Sequence, residues 1–298
     1  MQTKTRGRPQ LRAVPGVGRA AIRPPKLLNS ASLRVEYDAE QRAVWMYMCP
    51  GGRPCFSANL LGDILAQQRA VADEPDAVDF VVLASDVPNV FNLGGDLDLF
   101  RTLALTKDEA GLVRYAEHCA RAVHSAARGL DAGIVTVAVV QGDALGGGLE
   151  AALACSIVVA ERGAKMGFPE ILFNLFPGMG AYSLVTRKVG PRIAEDLITS
   201  GRVLSAEEMH QIGLVDYLAE KGMGERVTKN VISDKAWTLN GYRSFQMAKL
   251  HSYLAVPYRE LLEIAREWAR AACRLDERDL KMMERLVRAQ VRLTGRPT

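Results

Sequence analysis

The sequence predicts an α/β protein built in layers, with mostly parallel strands. Apolar stretches of strand length alternate along the chain with stretches whose apolar residues recur at helical spacing. Strands that are buried on both faces are typical of parallel sheets covered by helices. A chain of 298 residues, 48% hydrophobic and 24% charged, is long enough for one large domain and a helical appendage.

The first half of the chain supplies the predicted strands. SLRVEYD and AVWMYM are predicted strands joined by a turn at Ala39–Arg42, and a helix is predicted over Ala58–Glu74. DAVDFVVLASDV is a predicted buried strand, and a long helical stretch should run from Leu97 to about Leu130. IVTVAVVQG should lead directly into a glycine turn and a helix over Gly148–Cys155, and SIVVAE is the next strand.

The second half is predicted to be mainly helical. Ser205 and Glu208 fit the capping box of a helix that should end near Gly213. From Pro257 to Thr294 an amphipathic pattern rich in Arg/Glu pairs predicts two helices, docked on the core or on a neighbouring subunit. The predicted organisation is a basic disordered arm (1–30), a core (31–220) and a C-terminal helical region (221–298).

Charge is unevenly distributed. Residues 1–35 carry eight positive side chains and no acid, which, against a net charge of +4 for the whole chain, leaves the remainder at −4. Such an arm has too few apolar residues to pack, so a solvated tail is favoured over a tether to nucleic acid or to a membrane surface. The arm lacks the apolar core of a secretory signal. No stretch approaches the ~20 apolar residues of a membrane span, and neither membrane nor nucleic acid is expected as a partner.

The cysteines indicate reduced thiols rather than a metal site or a disulfide framework. There are five, which is an odd number, without zinc-like spacing, and the four histidines do not cluster near them. A cytoplasmic location and no bound metal are therefore expected. The five are Cys49, Cys55, Cys119, Cys155 and Cys273.

Two glutamates carry the chemistry that the residues themselves suggest. Glu150 lies in ALGGGLEAALAC and Glu170 in MGFPEILFNLFPGMG. Paired carboxyl groups facing one substrate can move protons on and off carbon and oxygen. The glycines before Glu150 open a short apolar helix, where bare backbone N–H groups can face a developing negative charge. Either glutamate alone could be structural, but a second glycine turn in FNLGGDLD favours enolate chemistry on a carbonyl compound.

The glycine turn also loosely fits a dinucleotide-binding pattern. A strand precedes Gly146-Gly-Gly-Leu-Glu-Ala151, and Glu161 could be the acid that binds a ribose. That acid normally lies ~20 residues beyond the glycines, after a full-length helix. Glu161 lies fifteen beyond Gly146 with a helix of barely two turns between them, which disfavours this interpretation.

The same segments resemble the signature blocks of a known family. FNLGGDLDLF, VVQGDALGGGLEAALACSIVVAE and MGFPEILFNLFPGMGAYSLVTRKVG are similar to those of the crotonase (enoyl-CoA hydratase/isomerase) superfamily, over roughly residues 33–220. FNLGGDL, PEILFNLFPGMGAYS and the ending RLVRAQ further resemble the bacterial diffusible signal factor synthases, which make cis-2-unsaturated fatty acid signals. The resemblance implies a crotonase-like spiral of ββα units with a C-terminal helical region.

The resemblance also implies roles for individual residues. The backbone N–H groups of Gly95 and Gly147 would polarise a thioester carbonyl, and Glu150 and Glu170 would be the acid/base pair. Trp268 resembles a tryptophan that lines the acyl tunnel of the signal synthases. The large apolar residues that bracket the glutamates, Leu149 and Met179 among them, are further candidates for that tunnel. No metal and no redox cofactor is implied.

The implied activity is dehydration and thioester hydrolysis, which together convert a 3-hydroxyacyl thioester to a free cis-2-enoic acid for quorum sensing. The implied partners are acyl carrier protein or coenzyme A thioesters, further copies of the chain in a homotrimer or hexamer, and the receiver domain of a sensor kinase. The alternatives are a generic enoyl-CoA hydratase/isomerase and a non-catalytic crotonase-like binding partner. Retention of both glutamates favours an enzyme.

Overall fold

A large twisted sheet forms the centre of the molecule. The structure, a computed structural model, describes residues 23–293. Within them six strands pair in the order β1-β2-β3-β5-β7-β10; β1 is antiparallel to β2 and every other pair is parallel. This confirms the prediction of a mostly parallel sheet. The strands are β1 (Leu33–Asp38), β2 (Ala43–Met48), β3 (Phe80–Ser85), β5 (Val135–Val140), β7 (Ile157–Glu161) and β10 (Tyr217–Ala219).

A second, smaller sheet has four strands of three residues each. They pair in the order β4-β6-β8-β9, with the first three parallel and the last antiparallel. They are β4 (Val90–Asn92), β6 (Asp143–Leu145), β8 (Lys165–Gly167) and β9 (Val203–Ser205). Each of the first three follows a strand of the large sheet along the chain, which gives the repeated strand–strand–helix order of the fold.

Eleven α-helices are present within residues 23–293. They surround the sheets, and the last four form the C-terminal helical region. In chain order they are α1 (Ala58–Ala72), α2 (Leu97–Leu105), α3 (Glu109–Ala127), α4 (Gly147–Ala154), α5 (Ala181–Val189), α6 (Pro191–Ser200), α7 (Ala206–Gln211), α8 (Gly224–Trp237), α9 (Leu239–Leu250), α10 (Tyr258–Cys273) and α11 (Glu277–Leu293). The capping box at Ser205 is confirmed, because its side chain accepts from Glu208 N–H while the Glu208 carboxylate accepts from Ser205 N–H.

The long helical stretch predicted from Leu97 to about Leu130 is divided into two helices. The chain forms α2 and α3, separated at residues 106–108. Lys107 has a φ of 53°, which a continuous right-handed helix cannot contain. Asp108 then caps α3, its carboxylate accepting from Gly111 N–H at 2.9 Å.

The prediction that one strand leads directly into the glycine turn is also wrong. β5 ends at Val140, and the chain crosses to the small sheet before the turn begins. The crossing is tight, because a Cβ at Gly142 would overlap the backbone of Asn89 and Val90. As a result the glycine turn follows β6, beside β4 rather than beside β3.

The C-terminal helices dock on the core of their own chain. α10 packs along α3 through a buried face that includes Leu261, Ala265 and Trp268. α11 lies against α2, where Arg101 pairs with Glu284 at 2.7 Å. Within the part that the structure describes, the Pro257–Thr294 segment therefore contacts the core of its own chain.

The described residues of the N-terminal arm form neither helix nor strand. Residues 1–22, the greater part of the predicted arm, lie outside the described residues. In residues 23–30 the Leu28 N–H donates to Gln67 Oε1 of α1 at 2.7 Å, and the Gln67 amide donates back to Lys26 O at 3.1 Å. Between residues 23 and 293, no helix combines the length and the apolar character that a membrane crossing requires.

Candidate active site

The candidate site lies where three parallel strands of the small sheet end. β4 leads into Gly94 and Gly95, β6 leads into the glycine turn and α4 with Glu150, and β8 leads into a short 3₁₀ helix with Glu170. The carboxyl ends of parallel strands meet at one edge of a sheet. Residues 75 positions apart in the sequence therefore reach one cavity, which Gly95 and Glu170 both line.

The cavity has a volume of about 250 Å³ and a predominantly apolar lining. It is enclosed by the small sheet together with α2, α3, α10 and the described part of α11. Among the predicted site residues, Gly95, Gly147, Glu150, Glu170, Met179 and Trp268 all line it. Apolar residues that line it besides these include Leu97, Phe100, Ala116, Phe173, Leu175 and Leu286.

Glu150 is held rigidly on the first turn of α4. Its Oε1 accepts hydrogen bonds from Met179 N–H and Ala181 N–H, both at 2.8 Å. The residue is only 1% exposed, so burial raises the pKa of its carboxyl group to about 7, while the backbone donors oppose that rise. The group therefore titrates near neutrality, as an acid/base catalyst requires.

Glu170 has a poorer supply of hydrogen-bond donors. Its Oε2 is buried and has no partner among the described residues. Burial, followed by the nearby charge of Glu150, raises the pKa of the Glu170 carboxyl group to about 8. The two carboxyl groups are electrostatically coupled, so they titrate as a pair. The shared proton favours Glu170, because Glu150 has the better hydrogen-bonded carboxylate.

The turn that carries Gly95 is fixed by hydrogen bonds of its neighbours. Asn92 Oδ1 accepts from Gly94 N–H at 2.8 Å, and Gly94 O accepts from Phe56 N–H at 2.8 Å. Gly94 has a φ of +95°, and a Cβ there would lie 2.9 Å from Leu145 O. Only glycine satisfies both the conformation and the space.

The backbone of Gly147 lies directly beside this turn. A Cβ at Gly147 would lie 3.5 Å from the Gly94 Cα and 2.5 Å from the Met179 sulfur. The preceding Gly146 has a φ of +52°, and a Cβ there would overlap the carboxylate of Glu170. Among residues 23–293, neither the Gly95 N–H nor the Gly147 N–H has a hydrogen-bond acceptor. Two free backbone donors beside an apolar cavity can stabilise a negative oxygen.

An aromatic cluster of Phe100, Tyr115 and Trp268 closes one side of the cavity. The Phe100 ring meets Tyr115 edge-on at 4.9 Å and Trp268 at 4.7 Å between centroids. The Phe100 ring also covers Gly95, and the Trp268 ring covers Gly178, since a Cβ at either glycine would overlap the ring. The cluster thus connects α2, α3 and α10 to the two glycine segments.

Leu149 does not line the cavity, contrary to its assignment to the acyl tunnel. It is completely buried in the main hydrophobic core. The reason is helical geometry: Glu150 points into the cavity, and the preceding residue on α4 is rotated by about 100° to another face.

Two lining side chains that carry a hydroxyl or a thiol are absent from the predicted site. Tyr115 and Cys119, one turn apart on α3, both line the cavity. Burial raises the pKa of the Cys119 thiol above its usual range, so the thiol stays protonated. α3 is remote in sequence from the glycine turns and carries no recognisable motif, so only the tertiary packing reveals its contribution.

Glu161 has a structural role rather than a ribose-binding one. Its carboxylate accepts from Gly222 N–H and Gly224 N–H, both at 2.8 Å. The residue is 5% exposed and holds the loop before α8 against the end of β7. Glu161 is therefore not available as the ribose-binding acid that the dinucleotide-binding interpretation requires.

Comparison with known sequences identifies the family. The family model described as Enoyl-CoA hydratase/isomerase matches residues 53–251. Mouse mitochondrial methylglutaconyl-CoA hydratase is 32% identical over 170 residues, which are 57% of this chain and 52% of the mouse protein. The chain thus spans about half the length of the curated relatives it matches.

Solved structures show the same fold. The enoyl-CoA hydratase from Bacillus halodurans superposes with a TM-score of 0.75 at 21% identity, over 85% of this chain and 99% of that one. DspI from Pseudomonas aeruginosa gives a TM-score of 0.64 at 22% identity, over 77% of this chain and 91% of that one. At these identities the likeness shows a shared fold, and the predicted crotonase-like fold is confirmed. With its three motif blocks gathered around one cavity, this chain belongs to the enoyl-CoA hydratase/isomerase family.

Proposed function

We propose that this protein is a dehydratase and thioesterase that converts 3-hydroxyacyl thioesters, carried by acyl carrier protein, to free cis-2-enoic fatty acids. One observation carries the proposal. Two carboxyl groups with pKa values raised to about 7 and about 8 face one apolar cavity, which two free backbone N–H groups also line. The motif variants shared with the signal synthases support the choice of substrate.

The first stage is elimination of water. The thioester oxygen is placed between the Gly95 and Gly147 N–H groups, and the Glu170 carboxylate removes a proton from C2. Glu150, in its protonated form, gives its proton to the departing 3-hydroxyl group, which leaves as water. The products are a 2-enoyl thioester, a protonated Glu170 and an ionised Glu150. Each positioned acid or base contributes about 10²–10⁴-fold to such a step.

The second stage begins from that protonation state. The Glu150 carboxylate takes a proton from a water molecule, whose oxygen attacks the thioester carbonyl, and the same two N–H groups hold the tetrahedral oxyanion. Collapse breaks the C–S bond, and Glu170 supplies its proton to the departing thiolate. Glu150 is then protonated and Glu170 ionised, as at the start. One shared proton thus serves both stages, and no redox step is needed.

The apolar lining supports a fatty acyl substrate. The pocket beyond the glutamates is enclosed by aliphatic side chains and by the aromatic cluster, and it offers few polar atoms to a bound molecule. Transfer of apolar acyl surface from water to such a pocket contributes about 25 cal/mol per Å². Polar recognition would then be confined to the thioester group and the 3-hydroxyl group.

A generic enoyl-CoA hydratase is the second candidate, and the hydrogen bonding of the two glutamates favours it, because Glu150 accepts two backbone N–H groups while Glu170 Oε2 has no partner among the described residues. With the proton on Glu170 and the charge on Glu150, the free cavity is already in the state that would activate water at C3 and protonate C2. Dehydration must start from the opposite arrangement of the same proton. The two candidates therefore differ in substrate and in the thioesterase stage, not in the groups employed.

Mass spectrometry of the fatty acids released by the purified protein separates the two. Incubation with 3-hydroxydodecanoyl carrier protein should release free 2-dodecenoic acid and unacylated carrier protein. Incubation with crotonyl-CoA is the parallel reaction. Rapid hydration of crotonyl-CoA, with no free acid from the carrier-linked substrate, would establish the hydratase and contradict the proposal.

A further inference from the structure

The hydroxyl group of Tyr115 connects two chain segments: the turn that contains Gly95 and the segment before α1 that contains Phe56. It accepts from Asp96 N–H at 3.2 Å and donates to Phe56 O. The Phe56 N–H in turn donates to Gly94 O at 2.8 Å. Three hydrogen bonds therefore connect α3, the segment before α1 and both neighbours of Gly95.

The surrounding N–H groups are nearly all occupied. Leu93 N–H donates to Pro54 O at 2.8 Å, Gly94 N–H to Asn92 Oδ1 at 2.8 Å, and Asp96 N–H to the Tyr115 hydroxyl. Within the described chain, Gly95 is the residue of this turn whose N–H donates to no protein group. Buried backbone N–H groups are almost always paired, so an unpaired one beside a cavity indicates a ligand-binding position.

The direction of that N–H follows from peptide geometry. Gly94 C=O and Gly95 N–H belong to one planar trans peptide, so they point in opposite directions. Phe56 N–H fixes the carbonyl side of this peptide, which turns the Gly95 N–H away from Phe56. The position of Phe56 relative to Asp96 is fixed in turn by the Tyr115 hydroxyl, which bonds to both.

We infer that Tyr115 is a positioning residue: its hydroxyl fixes the orientation of the peptide whose Gly95 N–H receives the thioester oxygen. The inference rests on the proposed function, since it assigns a task to a group that the function requires. An oxyanion donor must be aimed at the place where charge develops, and loss of alignment lowers kcat more than it weakens binding.

A proton-transfer role for Tyr115 is disfavoured by its surroundings. The side chain is 7% exposed, and burial raises the pKa of its hydroxyl well above the usual value. The hydroxyl therefore stays protonated throughout the range in which Glu150 and Glu170 titrate. The aromatic ring packs against Phe100, and that contact survives replacement by phenylalanine.

Tyr115→Phe tests the inference, with Tyr37→Phe as the matched control. Tyr37 also donates its hydroxyl to a backbone carbonyl, Ala77 O at 2.8 Å, but it does not line the cavity. Tyr115→Phe should lower kcat about 10-fold for both dehydration and hydrolysis, with KM changed by less than about threefold and the pH profile unmoved. Tyr37→Phe should leave kcat as in the parent protein.

A spectroscopic readout separates positioning from general destabilisation. The probe is the amide analogue of dodecanoyl-pantetheine with ¹³C at the carbonyl, followed by isotope-edited infrared difference spectroscopy. In the parent protein the bound carbonyl band should lie at lower frequency than in water, and Tyr115→Phe should remove part of that displacement. Tyr37→Phe should retain all of it.

Three results would overturn the inference. The first is that Tyr115→Phe keeps the kcat and the carbonyl frequency of the parent protein, although Gly147→Ala, measured in the same way, shifts the carbonyl frequency. Another is loss of one limb of the pH profile, which would make Tyr115 an acid/base group. A parent protein that neither polarises the carbonyl nor turns over any thioester would instead refute the proposed function, and the inference with it.

Discussion

Glu150 and Glu170 face one cavity with unequal hydrogen bonding. Glu150 Oε1 accepts two backbone N–H groups at 2.8 Å, whereas Glu170 Oε2 is buried with no partner among the described residues. The carboxylate with more hydrogen-bond donors carries the charge more easily, so the pair shares one proton near neutrality and that proton favours Glu170. The singly protonated pair contains one acid and one base: the proposed hydrolysis uses the arrangement with the proton on Glu170, and the proposed dehydration uses the arrangement with the proton on Glu150.

The pH profile of kcat/KM should be bell-shaped and narrow. Below a pH of about 7 both carboxyl groups are protonated and the base is lost; above about 8 both are ionised and the acid is lost. The maximum should fall between these values. Rates of free-acid release measured from pH 5 to 10 would show it. A profile that is flat across this range would show that the two glutamates are not the titrating pair.

Stability should depend on pH in the opposite sense to that of an ordinary surface carboxylate. The pKa of Glu170 is raised from 4.5 to about 8 in the folded protein. The contribution of its carboxyl group to the free energy of unfolding is therefore fully present below pH 4.5 and is lost as the pH rises through 8. Glu170→Gln removes this dependence and should raise the free energy of unfolding at pH 9 by about 1–3 kcal/mol relative to the parent protein. Urea unfolding at pH 5 and pH 9 measures it. An equal effect at both pH values would contradict the assigned pKa.

Gly147→Ala should lower kcat by about 10²–10³-fold, the usual loss for one oxyanion donor. The new Cβ would lie 2.5 Å from the Met179 sulfur, so the Met179 side chain or the Gly147 backbone must shift, and the alignment of the Gly147 N–H with the substrate oxygen is lost. Gly62→Ala is the matched control, since it lies in α1 with open space around its Cβ position and should gain about 0.5–1 kcal/mol of stability. Steady-state kinetics of both variants test this prediction. Equal kcat values for Gly147→Ala and Gly62→Ala would show that Gly147 does not supply an oxyanion donor.

Trp268→Leu should shift the preference toward longer acyl chains. The indole closes the cavity beside Phe100, and the smaller side chain leaves room for added methylene groups. The ratio of kcat/KM for 3-hydroxytetradecanoyl over 3-hydroxydecanoyl carrier protein should rise about 10-fold, a typical value for methylene discrimination. Trp237→Leu is the control, because Trp237 is 70% exposed and lies outside the cavity. An unchanged ratio in Trp268→Leu would place the end of the acyl chain elsewhere.

The central parts of the site were predictable because they lie in short, glycine-marked segments. Glu150, Gly95 and Gly147 lie in or directly after turns whose glycines are required by positive φ or by close backbone approach, and Glu170 follows Pro169 at the end of β8. Such constraints are local, so the sequence displays them. The predicted strands of the large sheet were visible for a similar reason, since buried β-branched runs such as VTVAVV have few alternatives.

The parts that escaped prediction depend on tertiary packing. The strands of the small sheet have three residues each, too few to display any periodicity. Tyr115 reaches the cavity through α3, whose helical pattern does not reveal which of its buried residues meets the turn after β4. Leu149 was placed in the tunnel by nearness to Glu150, although a step of one residue on a helix changes the face. The break between α2 and α3 did have a local signal, the capping residue Asp108.

The most direct test of a single cavity for both stages is the reaction of 3-hydroxydodecanoyl carrier protein in H₂¹⁸O, followed by mass spectrometry. The parent protein should release 2-dodecenoic acid with one ¹⁸O in its carboxyl group. Glu150→Gln and Glu170→Gln should release none while unfolding at temperatures close to the parent's, because glutamine keeps the shape and cannot transfer the proton. Carrier-bound product without free acid, or wild-type release by either variant, would contradict the account.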